Sequence, residues 1–281
     1  MKIIECPRDA MQGLKDFIPT TTKVGYLNKL LKVGFHTIDF GSFVSPTVIP
    51  QMKDTAQVLE KLDLTVTSSK LLAIVANQKG AKLASVHPEI AFLGYPLSIS
   101  ETFQFRNTRK SIAQSFSVVE DIQETCQKKS KKLVVYLSMA FGNPYDDPYH
   151  PEILEEFSER LAQMDIGIIQ ISDTIGSSTP ELIHLIFSNL LKKFPKIEFG
   201  SHFHSGYNTA NEKILTAYQA GCSRFDGAIG GYGGCPMAKN ELTGNITTEQ
   251  MIQLFLSRNI NLEINFEAFS EAIRMSREIF P

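Results

Sequence analysis

The stretch Lys196-Ile197-Glu198-Phe199-Gly200-Ser201-His202-Phe203-His204-Ser205-Gly206 sets the reading of the whole chain. The apolar run from Ile197 to Phe199 reads as a β-strand, with the pattern spanning 196–203. On a strand, side chains two residues apart share a face, so His202 and His204 point the same way. Two imidazoles held together without a cation or a carboxylate would each titrate near neutrality and repel once charged. The pair therefore asks for a metal, and other segments should supply the remaining ligands. Beyond Gly206 a helical period carries Ile214, Leu215 and Tyr218 and stops before Gly221. A new strand pattern follows at 224–229, which makes the local unit strand–helix–strand.

Working outward, the same unit recurs. Strand patterns lie at 2–5, 36–40, 70–75, 89–93, 132–138, 166–171, 196–203 and 224–229. Helix patterns with end signals lie between them. Thr22 reads as the cap of a helix carrying Val24, Leu27 and Leu31, Pro151 as the start of another, and Thr179-Pro180 as N-cap and first turn of a third. Eight strands alternating with helices predict an α/β chain folded as a (β/α)8 TIM barrel, an architecture of ~250 residues. The rival, a doubly wound open sheet, lacks a G-x-G-x-x-G after its first strand. Thr247 to Gln250 reads as a capping box, and a last helix carries Ala268, Phe269, Ala272 and Ile273, giving a short C-terminal helical extension. No linker, repeat or low-complexity tract interrupts the pattern, so residues 1–281 read as a single catalytic domain.

Composition narrows the class. A net charge of -2 gives no reason to expect nucleic acid or an anionic membrane as partner. No run of about 18 apolar residues is present to span a bilayer, and no targeting pattern is visible. Cys6, Cys126, Cys222 and Cys235 are widely spaced without a C-x-x-C pair, which points to a reducing cytoplasm rather than a disulfide framework.

In barrels of this kind, chemistry gathers where the strands end. Cys6-Pro7-Arg8-Asp9 follows the first strand, and Asp39 lies toward the end of the second. Ser172-Asp173-Thr174 follows the sixth, the histidine pair the seventh, and Gly230-Gly231-Tyr232-Gly233-Gly234-Cys235-Pro236 the eighth. Plainer readings stand beside these: Asp173 as a helix cap, Arg8-Asp9 as a rim ion pair, the glycine run as a connection. That glycine run, ending in Cys235, also suits a mobile lid delivering a thiol. His36, His87, His150 and His184 are assigned no role.

Together these motifs resemble the 3-hydroxy-3-methylglutaryl-CoA lyases over roughly residues 2–260. The resemblance is carried by Pro7-Arg8-Asp9 with Gln12, Ser42-Phe43-Val44-Ser45-Pro46 with Pro50-Gln51-Met52, and Glu101-Thr102-Phe103. Asp173-Thr174-Ile175-Gly176, His202-x-His204, Gly233-Gly234-Cys235-Pro236 and Gly244-Asn245 complete it, in the same order. It implies a divalent-metal-dependent barrel that breaks a carbon–carbon bond of a 3-hydroxyacyl-CoA, with 3-hydroxy-3-methylglutaryl-CoA giving acetoacetate and acetyl-CoA. It further implies Mg²⁺ or Mn²⁺ on Asp9, His202, His204 and Asn245, with Arg8, Asp39, Asp173 and Cys235 as catalytic residues. Lys15 and Asn107 would lie near the acyl-CoA, and the chain would be a cytoplasmic homodimer.

The chain departs from the lyase pattern at Cys6 and Ala10 (usually Gly), Asp39 (usually Glu), Ser205 (usually Asp) and Val134 (usually Arg). The loop from Cys235 to Asn245 is one residue longer, with Asn240 and Glu241 in it. Alternatives at this stage are a condensing enzyme joining acetyl-CoA to a 2-oxo acid, a lyase for a different hydroxyacyl-CoA, and a non-catalytic barrel.

Overall fold

The computed structural model describes residues 1–234 and 243–280. Its strands are Lys2–Glu5 (β1), Thr37–Ser42 (β2), Lys70–Ile74 (β3), Ile90–Ser98 (β4), Lys132–Ser138 (β5), Ile168–Asp173 (β6), Glu198–Phe203 (β7) and Arg224–Gly227 (β8). Each pairs in parallel with the next, and β8 pairs with β1, closing the barrel. The helices are Pro7–Gln12 (α1), Thr20–Leu30 (α2), Thr55–Leu59 (α3), Gln78–Ser85 (α4), Glu101–Thr108 (α5), Ile112–Lys128 (α6), Ile153–Gln163 (α7), Pro180–Lys193 (α8), Tyr207–Gln219 (α9), Thr248–Ser257 (α10) and Phe266–Ile279 (α11). This is the (β/α)8 TIM barrel expected from the alternation, with α11 as the C-terminal extension.

The two-residue period of each strand sorts its side chains between two cores. On β7, Phe199 and Phe203 point outward and meet Phe194 and Phe187, with ring centroids 6.3 and 6.2 Å apart. Gly200 and His202 therefore face the barrel interior. Inside, an apolar cluster of Leu72, Ile74, Phe92, Val134, Tyr136 and Ile168 fills the middle. The larger core lies between the barrel and its helices, where aromatic and aliphatic side chains from both layers interlock.

Three local expectations need correcting. The fourth strand runs on to Ser98 although Gly94 and Pro96 look like breakers, because β4 pairs with β5 through both positions. The second helix begins at Thr20 behind Pro19, so Thr22 is interior to it and caps nothing. Thr247 does precede α10, yet its side chain makes no capping bond. Instead Gln250 donates to the Tyr207 carbonyl at 2.8 Å, and Glu249 accepts from the Gly230 N–H at 3.0 Å. Both side chains are engaged by neighbouring segments, the first turn of α9 and the turn after β8, which overrides the local capping box.

Candidate active site

The C-terminal ends of the strands bring the charged residues together. Pro7 opens α1 directly after β1, so Arg8 and Asp9 stand in its first turn above the barrel mouth. Arg8 donates through Nη2 to Asp39 Oδ2 at 2.6 Å and through Nε at 3.0 Å. Its Nη1 reaches Asp9 Oδ1 at 2.9 Å and Gln12 Oε1 at 2.8 Å. The guanidinium is thus gripped on three sides, and its neighbouring carboxylates hold it firmly in the charged form.

Across the mouth, the rings of His202 and His204 face each other with their Nε2 atoms 3.3 Å apart. Asp9, His202 and His204 offer ligand atoms that all lie within 4.8 Å of one another. Burial alone would raise the Asp9 pKa. The positive charges of Arg8 and the two histidines, with a hydrogen bond from Asn245, instead bring it below the usual carboxylate range. His204 is pushed down to about 4, first by burial and then by His202, so its ring is a neutral lone-pair donor at physiological pH. The ring nitrogens of His202 and His204 converging on one ionised carboxylate form a donor set that fits a divalent cation.

Asn245 reaches the same cluster through its backbone bridge to His204. Its Nδ2 donates to Asp9 Oδ2 at 2.6 Å and to the Tyr232 carbonyl at 2.8 Å. In this rotamer it steers Asp9; a half-turn of the amide would put its oxygen there instead. Gly233 crosses directly over the pair with φ +100, and a Cβ on it would stand 2.5 Å from Asn245 Nδ2 and 2.9 Å from Asp9 Oδ2. Only glycine lets the loop pass so close.

The cleft in front of these groups has a volume of about 200 Å³. Arg8, Asp9, His202, His204, Tyr136 and Asn107 contribute to its lining, and Val44, Ile49, Ile74 and Phe103 make an apolar wall. Asn107 lines the cleft, whereas Lys15 is solvent-exposed and does not line it. Asp39 is fully buried behind Arg8, and burial lifts it to about 6 against the pull of that arginine. Asp173 does not reach the cleft at all. Its carboxylate accepts the N–H groups of Ser177 and Ser178 at 2.9 and 3.0 Å and pairs with Lys213 Nζ at 2.8 Å, which fixes the loop leaving β6. The geometry thus corrects the expectation of Asp173 as a catalytic acid. Cys235 lies outside the described residues.

One important group escaped the sequence reading. Asp226 on β8 accepts from, or pairs with, His202 Nδ1 at 3.0 Å and takes a hydrogen bond from Gln170 Nε2 on β6. A carboxylate behind an imidazole fixes which ring nitrogen carries the proton, leaving Nε2 free toward Asp9 and His204. The signal was an acid in the middle of a buried strand, at the same parity as Arg224. The buried arginine of the barrel interior is Arg224, beside Phe92, while Val134 sits in the apolar cluster.

The family described as HMGL-like matches residues 2–275. The chain belongs to the HMGL-like family. Among its relatives, a hydroxymethylglutaryl-CoA lyase of Bacillus subtilis is 31% identical over 275 residues, covering 97% of this chain and 90% of the relative. A cytoplasmic 3-hydroxy-3-methylglutaryl-CoA lyase of Rattus norvegicus is 32% identical over 97% of this chain and 79% of its own length. Among solved structures, an HMG-CoA lyase of Acinetobacter baumannii in complex with coenzyme A and 3-methylmalate superposes with a TM-score of 0.90. That pair shares 31% identity over 99% of this chain and 89% of the other. No helix among the described residues is long and apolar enough to cross a membrane.

Proposed function

We propose that this HMGL-like protein is a divalent-metal-dependent carbon–carbon lyase that cleaves 3-hydroxy-3-methylglutaryl-CoA to acetoacetate and acetyl-CoA. The observation that carries the reading is the convergence of Asp9, His202 and His204 beside Arg8 at the floor of one cleft. The lyase names and the bound coenzyme A of its relatives support the substrate class. Asp9, His202 and His204, joined by Asn245 once its amide turns, would hold Mg²⁺ or Mn²⁺. A cation there supplies Lewis acidity toward the substrate hydroxyl and a template for its carboxylate.

The protein's own groups account for the rest. Asp9, ionised and in reach of the cleft, takes the hydroxyl proton directly or through a water it holds. As the carbon–carbon bond breaks, negative charge moves onto the thioester oxygen and meets the permanent charge of Arg8. Asp39 is too deeply buried to touch substrate, and acts by holding the guanidinium in place. Asp173 positions the loop after β6. Cys235, carried by the glycine run, protonates the resulting carbon, and Asn107 contacts the acyl-CoA. The enzyme is read as one domain working as a cytoplasmic homodimer, which light scattering would check.

The test is incubation with 3-hydroxy-3-methylglutaryl-CoA and Mg²⁺ or Mn²⁺. Acetoacetate and acetyl-CoA should appear in equal amounts and vanish on chelation. Absence of both products with either cation would refute the substrate, and release of free CoA thiol from acetyl-CoA and a 2-oxo acid would indicate a condensing enzyme.

A further inference from the structure

His202 has a second face, and it looks onto a different set of donors. Cys6 Sγ, a carboxylate oxygen of Asp226 and a ring nitrogen of His202 all lie within 4.8 Å of one another, deeper in the barrel than Asp9 and His204. Cys6 is fully buried, and among the described residues its thiol makes one long hydrogen bond, 3.8 Å to the Ile4 carbonyl. Burial and the carboxylates of Asp226, Asp39, Asp9 and Glu5 all oppose ionisation of its thiol, so the spot is short of positive charge. A second observation marks the same place. The ring of Tyr136, which also borders the cleft, packs edge-on against His202 at a centroid distance of 5.6 Å, and its hydroxyl is buried without a hydrogen-bond partner among the described residues. Buried hydroxyls rarely stay unpaired unless something completes them.

We propose that Cys6, Asp226 and Nδ1 of His202 form a second metal site, selective for a thiophilic divalent cation of the Zn²⁺ class. A thiolate, an imidazole and a carboxylate with an open fourth position are the donors such a cation takes. Binding there displaces the thiol proton of Cys6 to solvent. It also moves the Nδ1 proton of His202 to Nε2, so the ring stays neutral and no electrons are transferred. Nε2 then presents an N–H toward Asp9 and His204 in place of a lone pair. Occupation of the lower site and use of His202 by the upper one are therefore mutually exclusive. That consequence rests on the proposed function; the existence of the lower site does not.

Titration of the purified full-length chain with Cd²⁺, read by thiolate-to-metal absorption in the ultraviolet, tests the site directly. The band should appear in the native chain and in Cys235→Ala, and be lost in both Cys6→Ala and Cys6→Ser, the latter keeping the side-chain volume. Zn²⁺ should inhibit turnover in competition with Mn²⁺. Relative to each variant's own zinc-free rate, the inhibition constant should rise by at least about 10–100-fold in Cys6→Ala, since losing a direct ligand costs no less than losing an outer partner of one. A band that persists in Cys6→Ala and Cys6→Ser, or no band in the native chain, overturns the proposal. A band behaving as expected in a protein that cleaves no hydroxyacyl-CoA supports the lower site and refutes the lyase reading alone.

Discussion

His202 is held from both sides, and that fixes which of its nitrogens can act. Asp226 pins Nδ1 at 3.0 Å, and Tyr136 stacks edge-on against the ring at a centroid distance of 5.6 Å. Replacing Asp226 by Asn removes the charge that selects the tautomer while keeping the shape. Mn²⁺ affinity should fall by about 10–100-fold with the fold retained, as calorimetry and circular dichroism would show. An unchanged affinity would mean that the ring is oriented by packing alone. Arg8, Asp9 and the histidine pair were legible as residues because each is a local signature at a strand end. Asp226 was not, since its partner lies on another strand and only barrel closure joins them. Asp173 shows the converse: its position after β6 looked catalytic, but Lys213 on α9 claims the carboxylate.

At the scale of elements, the loop that overlies the site is tied to β1 by one buried acid. Glu5 accepts from the Ile229 N–H at 2.8 Å and from Thr248 Oγ1 at 2.7 Å, joining β1 to the loop after β8 and to α10. Burial lifts its pKa from the ordinary 4.5 to about 8. Because the folded state prefers the protonated acid, its contribution to stability is complete below about 4.5, declines as pH rises, and is exhausted above about 8. Glu5→Gln keeps the hydrogen-bonding shape without that liability. Its melting temperature should gain on that of the native chain as pH increases through this window, and a constant difference would contradict the burial argument. Gly200 offers a second test between elements, because a Cβ there would lie 1.6 Å from Gln170 Oε1 and 3.0 Å from Arg224 Cδ. Gly200→Ala should cost about 1–3 kcal/mol in denaturant unfolding and loosen metal binding by dislodging Gln170 from Asp226. Most helix ends were readable from Gly, Pro and Thr signals. The length of β4 and the missing capping box at Thr247 were not, because pairing with β5 and contacts to the start of α9 at Tyr207 and to the turn at Gly230 override local preference.

The whole molecule is a ring closed by β1 against β8 and braced from outside by its last helix. That closure was legible from eight strand–helix alternations, together with the missing G-x-G-x-x-G that a doubly wound dinucleotide-binding sheet would carry after its first strand. The bracing was less so, for α11 makes its contacts across the full length of the chain. Phe269 meets Phe35 at 6.2 Å, and Phe280, just past the helix, meets Tyr26 at 6.0 Å and stacks on Tyr232 at 4.7 Å. Tyr232 in turn lends its carbonyl to Asn245, so the C-terminus supports the metal-facing cluster from behind. Phe280→Ala should lose about 3 kcal/mol of stability and weaken cation binding in the same variant; a stability loss with affinity intact would separate the brace from the site. Metal chemistry at this mouth requires one cation bound by residues that barrel closure brings together from the neighbouring ends of β1, β7 and β8. Electron paramagnetic resonance of Mn²⁺ added to the native chain and to His204→Ala tests it most directly. One tightly bound ion per chain should be present in the native protein and lost in the variant, and equal binding by both would contradict it.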